Sequence, residues 1–437
     1  MKIYLIIIIL ILAALLFVKI FILNQVTSPV VVQTGDEFKF YIISDPHYMS
    51  RKLYDDGEAF KSFLQSGDKI FQYSAELLDA FYEDVMVNRP NFVVITGDLT
   101  CNGTKESHMD FANKLQKIEN KGINVYVVPG NHDIQSENAM YYFGDKATKA
   151  KSITKEEYIQ TYSKFGYDDA VSFDENSLSY LAKPTEDIWL LMLDSTIENE
   201  PQGGSLKKGT LEWIHECSNL AKTKNSKMIV VMHHSLMDHS KIINENYTIN
   251  NSEEALDVLH KSGVEIVLTG HIHLQDIKSN QIDGSRLFDI ATSSLAVYPH
   301  QYGEMIYSPN KEYEYKTNRL NIEQYATKHK LIDPNLINFN DFSAEFFVTK
   351  CCKNQKKCVE GLSQLNEKEK EDVFKVVSEM NRMYFAGYRN EALEELTKMD
   401  GFKYLEKLPS CPVKNYVMAI LNDEMTNNNI LFIPVKK

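Results

Sequence analysis

A chain of 437 residues with 43% hydrophobic and 24% charged side chains has ample material for packed domains. That excludes a mainly disordered chain, a collagen-like fibre and a polytopic membrane protein. Acidic residues outnumber basic ones, 60 to 47, giving a formal charge of −13, so no nucleic-acid polymer is expected as a partner.

The first element is an apolar run over residues 3–23, broken only by Lys19. It is long enough to cross a bilayer if that lysine snorkels. Lys2 precedes it and Asp36 and Glu37 follow. The expectation is a single-pass cell-membrane anchor with the rest of the chain extracellular. The alternative is a cleaved signal peptide and a secreted protein, although Pro29 after Val26-Thr27-Ser28 makes a poor cleavage site.

Short apolar strands then alternate with helical patterns. Phe38–Ser44 reads as a strand ending in Asp45-Pro46-His47. Ser74 reads as the N-cap of a helix that carries Leu77, Phe81 and Val85, and Pro90 closes it. Residues 92–96 run into Gly97-Asp98, and 125–128 into Gly130-Asn131-His132-Asp133. Residues 189–193, 228–232 and 266–268 read as further strands, the last two ending at His233-His234 and Gly270-His271-Ile272-His273. Asp283-Gly284 signals a hairpin. This is an α/β pattern, with metal-type residues beyond the C-terminal strand ends, where open α/β sheets place ligands. Past about residue 310 the pattern turns helical, with Val373, Val377, Met380 and Tyr384 as one stripe. The expected domains are an anchor at 3–23, an α/β domain at 37–310 and a helical domain at 320–437.

Five motifs carry the chemistry: Asp45-x-His47, Gly97-Asp98 with Asn102-Gly103, Gly130-Asn131-His132-Asp133, His233, and Gly270-His271-x-His273. They offer carboxylate, imidazole and amide donors without a thiolate, a set suited to Mn, Fe or Zn. Seven donors serve two divalent ions if Asp98 bridges. Such a centre stays net positive and attracts a phosphate anion, and paired ions stabilise an in-line displacement. His132 adjoins a donor but is spare. It is free to protonate a leaving oxygen or to hold a phosphoryl oxygen.

On these motifs, over residues 45–273, the sequence resembles the calcineurin-like metallophosphoesterases. Ser44-Asp45-Pro46-His47-Tyr48, Gly97-Asp98-Leu99-Thr100 and the stretch 293–303 are similar to bacterial class III cyclic-nucleotide phosphodiesterases with a helical C-terminal domain. The resemblance implies a two-sheet sandwich flanked by helices, with a dinuclear site on its edge. One ion would take Asp45, His47, Asp98 and His273, the other Asp98, Asn131, His233 and His271. Asn131, His132 and His300 would contact substrate. The implied activity is hydrolysis of small phosphodiesters, cyclic nucleotides foremost, outside the membrane. A phosphomonoesterase or nucleotidase on the same centre is the alternative, and a surface interaction protein working through its helical domain is another.

Other residues receive plainer readings. Cys101 is expected to be a small loop filler, His234 to lie beside the donors without binding, and Asp133 to orient a neighbour. His108, His215, His239, His260 and His329 are read as solvated. Tyr48, Tyr298 and Tyr302 are candidates for stacking a base, against the chance proximity that 24 tyrosines create. Residues 204–210 lack the Gly-Lys-Ser/Thr of a phosphate loop. Cys351, Cys352, Cys358 and Cys411 are expected to form at least one disulfide outside the cell.

Overall fold

The structure, a computed structural model, describes residues 32–435 except 199, 244, 310, 389 and 424–426. The expected anchor at 3–23 lies outside the described residues. Among those described, no helix is long and apolar enough to cross a membrane.

Two sheets face each other. The first has six strands in the spatial order Ile430–Pro434, Glu312–Arg319, Gln301–Ser308, Phe38–Ile43, Phe92–Ile95, Asn124–Val127. Phe38–Ile43 runs parallel to Phe92–Ile95 and antiparallel to Gln301–Ser308. The second has seven: Asp276–Ile282, Ser285–Ala291, Ile266–Thr269, Lys227–Met232, Ile188–Leu193, Tyr180–Ala182, Ser172–Phe173. Its strands Ser285–Ala291, Ile266–Thr269, Lys227–Met232 and Ile188–Leu193 are mutually parallel.

The two-residue period of a strand explains why these runs are apolar throughout. Ile188, Leu190 and Met192 enter the core shared with the first sheet. Trp189, Leu191 and Leu193 turn to the other face, against Leu211, Ile214 and Leu259 of the helices Lys208–Thr223 and Ser252–Lys261. On the first sheet, Tyr41 meets Phe81 of the helix Ser74–Asn88, ring centroids 6.3 Å apart. The result is helix, sheet, sheet, helix. Each large apolar side chain buried this way contributes about 1.5–3 kcal/mol. Ser74 is the first helical residue rather than the N-cap. Its hydroxyl instead accepts the Met49 N–H at 3.1 Å, which ties the helix to the loop after Phe38–Ile43.

The C-terminal region differs from its expected bounds. The first sheet continues past 310 through Glu312–Arg319. Helices then run from Ile322–Lys328 to Pro412–Leu421, and the chain returns as Ile430–Pro434, antiparallel to Glu312–Arg319 with Tyr313 beside Ile433. The stretch from 320 is therefore mostly helical and closes on one strand. Ile433 faces in while Ile430 and Phe432 face solvent, a strand's alternation that covers an otherwise open edge. The helices divide their packing. Ala326, Leu336 and Phe339 join the sandwich core. Val373, Val377, Met380 and Tyr384 build a separate core with Phe402, Leu405, Val417 and Ile420.

All six cysteines are free, against the expected disulfide. Cys351 and Cys352 are consecutive at the end of the helix Phe339–Cys351 and its C-cap.

Candidate metal centre

Each donor lies just beyond the C-terminal end of a parallel strand in one of the two sheets, so the loops converge at one edge of the sandwich. Local geometry turns the side chains inward. Asp45, His47, Asp98, His271 and His273 have φ of +48°, +41°, +47°, +67° and +57°. Left-handed backbone at such residues costs of order 1–3 kcal/mol each, a strain that collects at functional sites. Glycines permit the close approach. A Cβ on Gly130 would overlap the Asp98 backbone nitrogen, and one on Gly270 would overlap the Ser44 hydroxyl.

The donors form two groups that share Asp98. In one, His47 Nε2 and His273 Nε2 are 3.1 Å apart, and His273 Nε2 is 3.2 Å from Asp45 Oδ1. His47 Nε2 lies 3.6 Å from Asp98 Oδ2. In the other, His233 Nε2 lies 3.5 Å from the same Asp98 Oδ2, 2.9 Å from Asn131 Oδ1 and 3.1 Å from His271 Nδ1. Metal–donor bonds of about 2.1 Å put neighbouring donors about 3.0 Å apart in an octahedron and about 3.4 Å in a tetrahedron. The observed spacings fit that shell. Asp45 Oδ1 is buried without a hydrogen-bond partner, a costly state that a cation relieves. The seven donors expected from the sequence are thus brought together.

The surroundings fix which atoms face the centre. His233 Nδ1 donates to the Thr96 carbonyl at 2.9 Å, and His271 Nε2 to the Asn246 carbonyl at 3.2 Å. The opposite ring nitrogens thereby face the cluster, where their lone pairs would serve a bound ion. Asp45 Oδ2 accepts the Ser44 hydroxyl and the His271 N–H, the latter at 3.0 Å. Asp98 Oδ1 accepts the His132 N–H at 2.9 Å. In each carboxylate one oxygen is fixed and the other is aimed at the cluster. Without ions, burial lowers the His233 pKa, but Asp98 and then Asp45 raise it to about 9, so the carboxylates draw in a proton. Burial and His233 push His271 down to about 3.

His132 belongs to neither group. Its Nε2 is 4.0 Å from Asp98 Oδ2 and its side chain is 35% exposed. Its Nδ1 is 3.2 Å from Asn102 Oδ1. It stands on the solvent side of the cluster, in reach of a bound ligand. Asp133 accepts backbone N–H groups from Gly130, Leu99 and Thr100 at 2.9–3.0 Å, which locks two donor loops together.

Several expectations are corrected. His300 is buried and does not reach the centre. Its Nδ1 bonds the Leu295 carbonyl at 2.9 Å and its Nε2 the Ser343 hydroxyl at 2.6 Å. Burial pulls it down to about 4, so it is a neutral strap to the helix Phe339–Cys351. Tyr48 and Tyr302 are buried too deeply to stack a base. Tyr298 is engaged by Arg382, which donates to its hydroxyl at 3.1 Å. His108 is not solvated: it bonds the Asp133 carbonyl at 2.8 Å and the Tyr162 hydroxyl at 2.7 Å. Its place three residues before Phe111 and seven before Leu115 puts it on the buried helix face, a readable signal. His239 is likewise buried, between Asp276 and Asp289. Other readings hold. Cys101 fills an apolar cluster with Met49, Leu53, Phe60, Phe71 and Tyr142. His234 bonds Ser195 at 2.9 Å and packs on His271 without joining the donors.

Residues 38–275 match the family described as calcineurin-like phosphoesterase. The chain belongs to that family. Residues 321–427 match a second family, the C-terminal domain of cyclic nucleotide phosphodiesterase. Among curated proteins it is similar to a probable glycerophosphodiester phosphodiesterase GpdQ of Arcobacter nitrofigilis, 27% identical over 220 residues, covering 48% of this chain and 68% of that one. It is 26% identical over 193 residues to a 3′,5′-cyclic adenosine monophosphate phosphodiesterase CpdA of Haemophilus influenzae, covering 44% of this chain and 57% of that one. A probable cyclic nucleotide phosphodiesterase of Psychrobacter arcticus is 24% identical over 244 residues, covering 55% of this chain and 75% of that one. The match to the second of these thus spans little more than half its length.

Proposed function

We propose that this phosphoesterase hydrolyses small phosphodiesters at a dinuclear centre, with cyclic nucleotides as the foremost substrates. The carrying observation is Asp98 Oδ2, placed 3.6 Å from His47 Nε2 in one donor group and 3.5 Å from His233 Nε2 in the other. Asp45, His47, Asp98 and His273 would hold one ion, and Asp98, Asn131, His233 and His271 the second. Two divalent ions, when bound, supply Lewis-acid polarisation and an activated water at neutral pH. The chain's own residues do the rest. His132 presents Nε2 to the leaving oxygen or to a phosphoryl oxygen, while Asn102 holds its Nδ1–H. In the imidazolium form it gives up the Nε2 proton and keeps the other on Asn102. The diester preference is supported by the names of the relatives and by the second matched family over residues 321–427.

The test is a substrate panel on the Mn²⁺-loaded full chain: 2′,3′-cyclic AMP, 3′,5′-cyclic AMP, a generic diester and a monoester, with Asp98→Ala as blank. Diester turnover that vanishes in the blank is the expected result. Preference for the monoester would replace the reading with a phosphomonoesterase.

The apolar run at 3–23 and the charges around it support a single-pass anchor with the catalytic domain outside the cell. A scavenging role toward extracellular 2′,3′-cyclic nucleotides then follows. A C-terminal reporter fusion active only in the cytoplasm would refute that topology.

A further inference from the structure

The loop between the helix Glu58–Ser66 and the turn Phe71–Tyr73 carries a cation that the metal centre does not use. The Lys69 side chain is only 14% exposed, and its Nζ is 3.0 Å from Oδ1 of Asp68, whose own side chain is 46% exposed. The loop is pinned against the donors. Phe71 sets its ring edge-on to that of His47, centroids 6.4 Å apart. Ile70 is buried and donates its N–H to the Ala296 carbonyl at 3.1 Å. Lys350 of the helix Phe339–Cys351 donates to the Gln65 carbonyl at 2.7 Å, so the helical region holds the last turn of Glu58–Ser66, from which this loop departs. Lys69 thus lies between the Asp68 pair and the Ile70 anchor, two residues before the ring that meets His47.

A nearly buried ammonium beside a centre for two divalent ions is repelled by them. One half-exposed carboxylate offsets part of that. The placement becomes favourable when an anion binds within reach of both, because it is attracted by each. Lysine has three donors, and Asp68 occupies one.

We propose that Lys69 is a substrate-binding residue whose ammonium donates to a non-bridging oxygen of the phosphodiester, with the loop held in place by the helical C-terminal region. This rests on the phosphodiesterase reading and adds its anion contact. A lysine in a polar loop looks solvated in the sequence, and only the folded loop shows otherwise.

The test is calorimetric binding of inorganic phosphate to the Mn²⁺-loaded full chain and to Lys69→Met, Lys69→Arg and Asp68→Asn, with metal content measured for each. Loss of one charge-assisted hydrogen bond is expected to weaken phosphate binding about tenfold or more in Lys69→Met, with both ions retained. Lys69→Arg should recover most of the affinity, and Asp68→Asn should bind phosphate at least as well as the parent. In diester turnover the Lys69→Met loss should fall mainly on KM. Unchanged phosphate affinity in Lys69→Met would overturn the proposal. So would equal losses in Lys69→Met and Asp68→Asn, which would make the pair a structural brace. Phosphate binding requires no turnover, so a parent chain inert toward diesters would sink the function while leaving this test readable.

Discussion

Nε2 of His47 and Nε2 of His273 stand 3.1 Å apart, although 226 positions separate them in the chain. Two neutral imidazole lone pairs do not attract each other at that distance. A shared cation would hold them, and the stability of the fold is then expected to depend on what the centre binds. Dialysis against a chelator is expected to lower the melting temperature by several degrees, and Mn²⁺ to restore it. Each site filled at a hundredfold its Kd adds about 2.7 kcal/mol. A melting curve indifferent to chelator would argue that the ions carry no folding energy.

His132 stands outside both donor groups, so its removal should separate chemistry from metal binding. His132→Ala is expected to lower kcat by roughly 10²–10⁴ while elemental analysis still finds two ions per chain. Loss of an ion in this variant would make His132 a donor instead.

Gly130 is a steric requirement of the Asp98 carboxylate that the two donor groups share. A Cβ there would overlap the Asp98 backbone nitrogen, and backbone cannot step aside as a flexible side chain can. Gly130→Ala should therefore displace Asp98, lower the melting temperature and weaken binding of both ions together. Loss of one ion with the other intact would show that Asp98 does not link the two groups.

His239 sits between Asp276 Oδ2 at 2.9 Å and Asp289 Oδ2 at 3.1 Å. Burial lowers its pKa, and the two carboxylates, Asp289 first, raise it to about 9. Lys278 faces the cluster too, 3.6 Å from Asp276 and 3.4 Å from Asp423. The folded value exceeds the unfolded one of about 6.5. The cluster's stabilisation is therefore fully present below about pH 6.5 and lost as pH rises through about 9. A shift of that size corresponds to roughly 3 kcal/mol. The melting temperature of the parent should fall between pH 7 and 9.5, and His239→Gln should be less stable at pH 7 with a flatter profile. An equal slope in both would place the pH dependence elsewhere.

The donors were legible because carboxylates and imidazoles directly after apolar strands are uncommon, and each strand shows itself in its own residues. Features that depend on distant partners were not legible. Ile430–Pro434 reads as strand only once Glu312–Arg319 offers an edge more than a hundred positions away. The family resemblance over residues 293–303 pointed to His300 as a site residue, but both its ring nitrogens are taken by Leu295 and Ser343. Lys69 and His239 look like ordinary polar loop residues until the fold buries them.

The central claim is one dinuclear centre, bridged by Asp98, that cleaves phosphodiesters. It is tested most directly by titrating metal-free full chain with Mn²⁺ while following diester hydrolysis. Activity should rise to a break at two equivalents per chain, and Asp98→Ala should give none at any ratio. Full activity at one equivalent, or a variant as active as the parent, would contradict the claim.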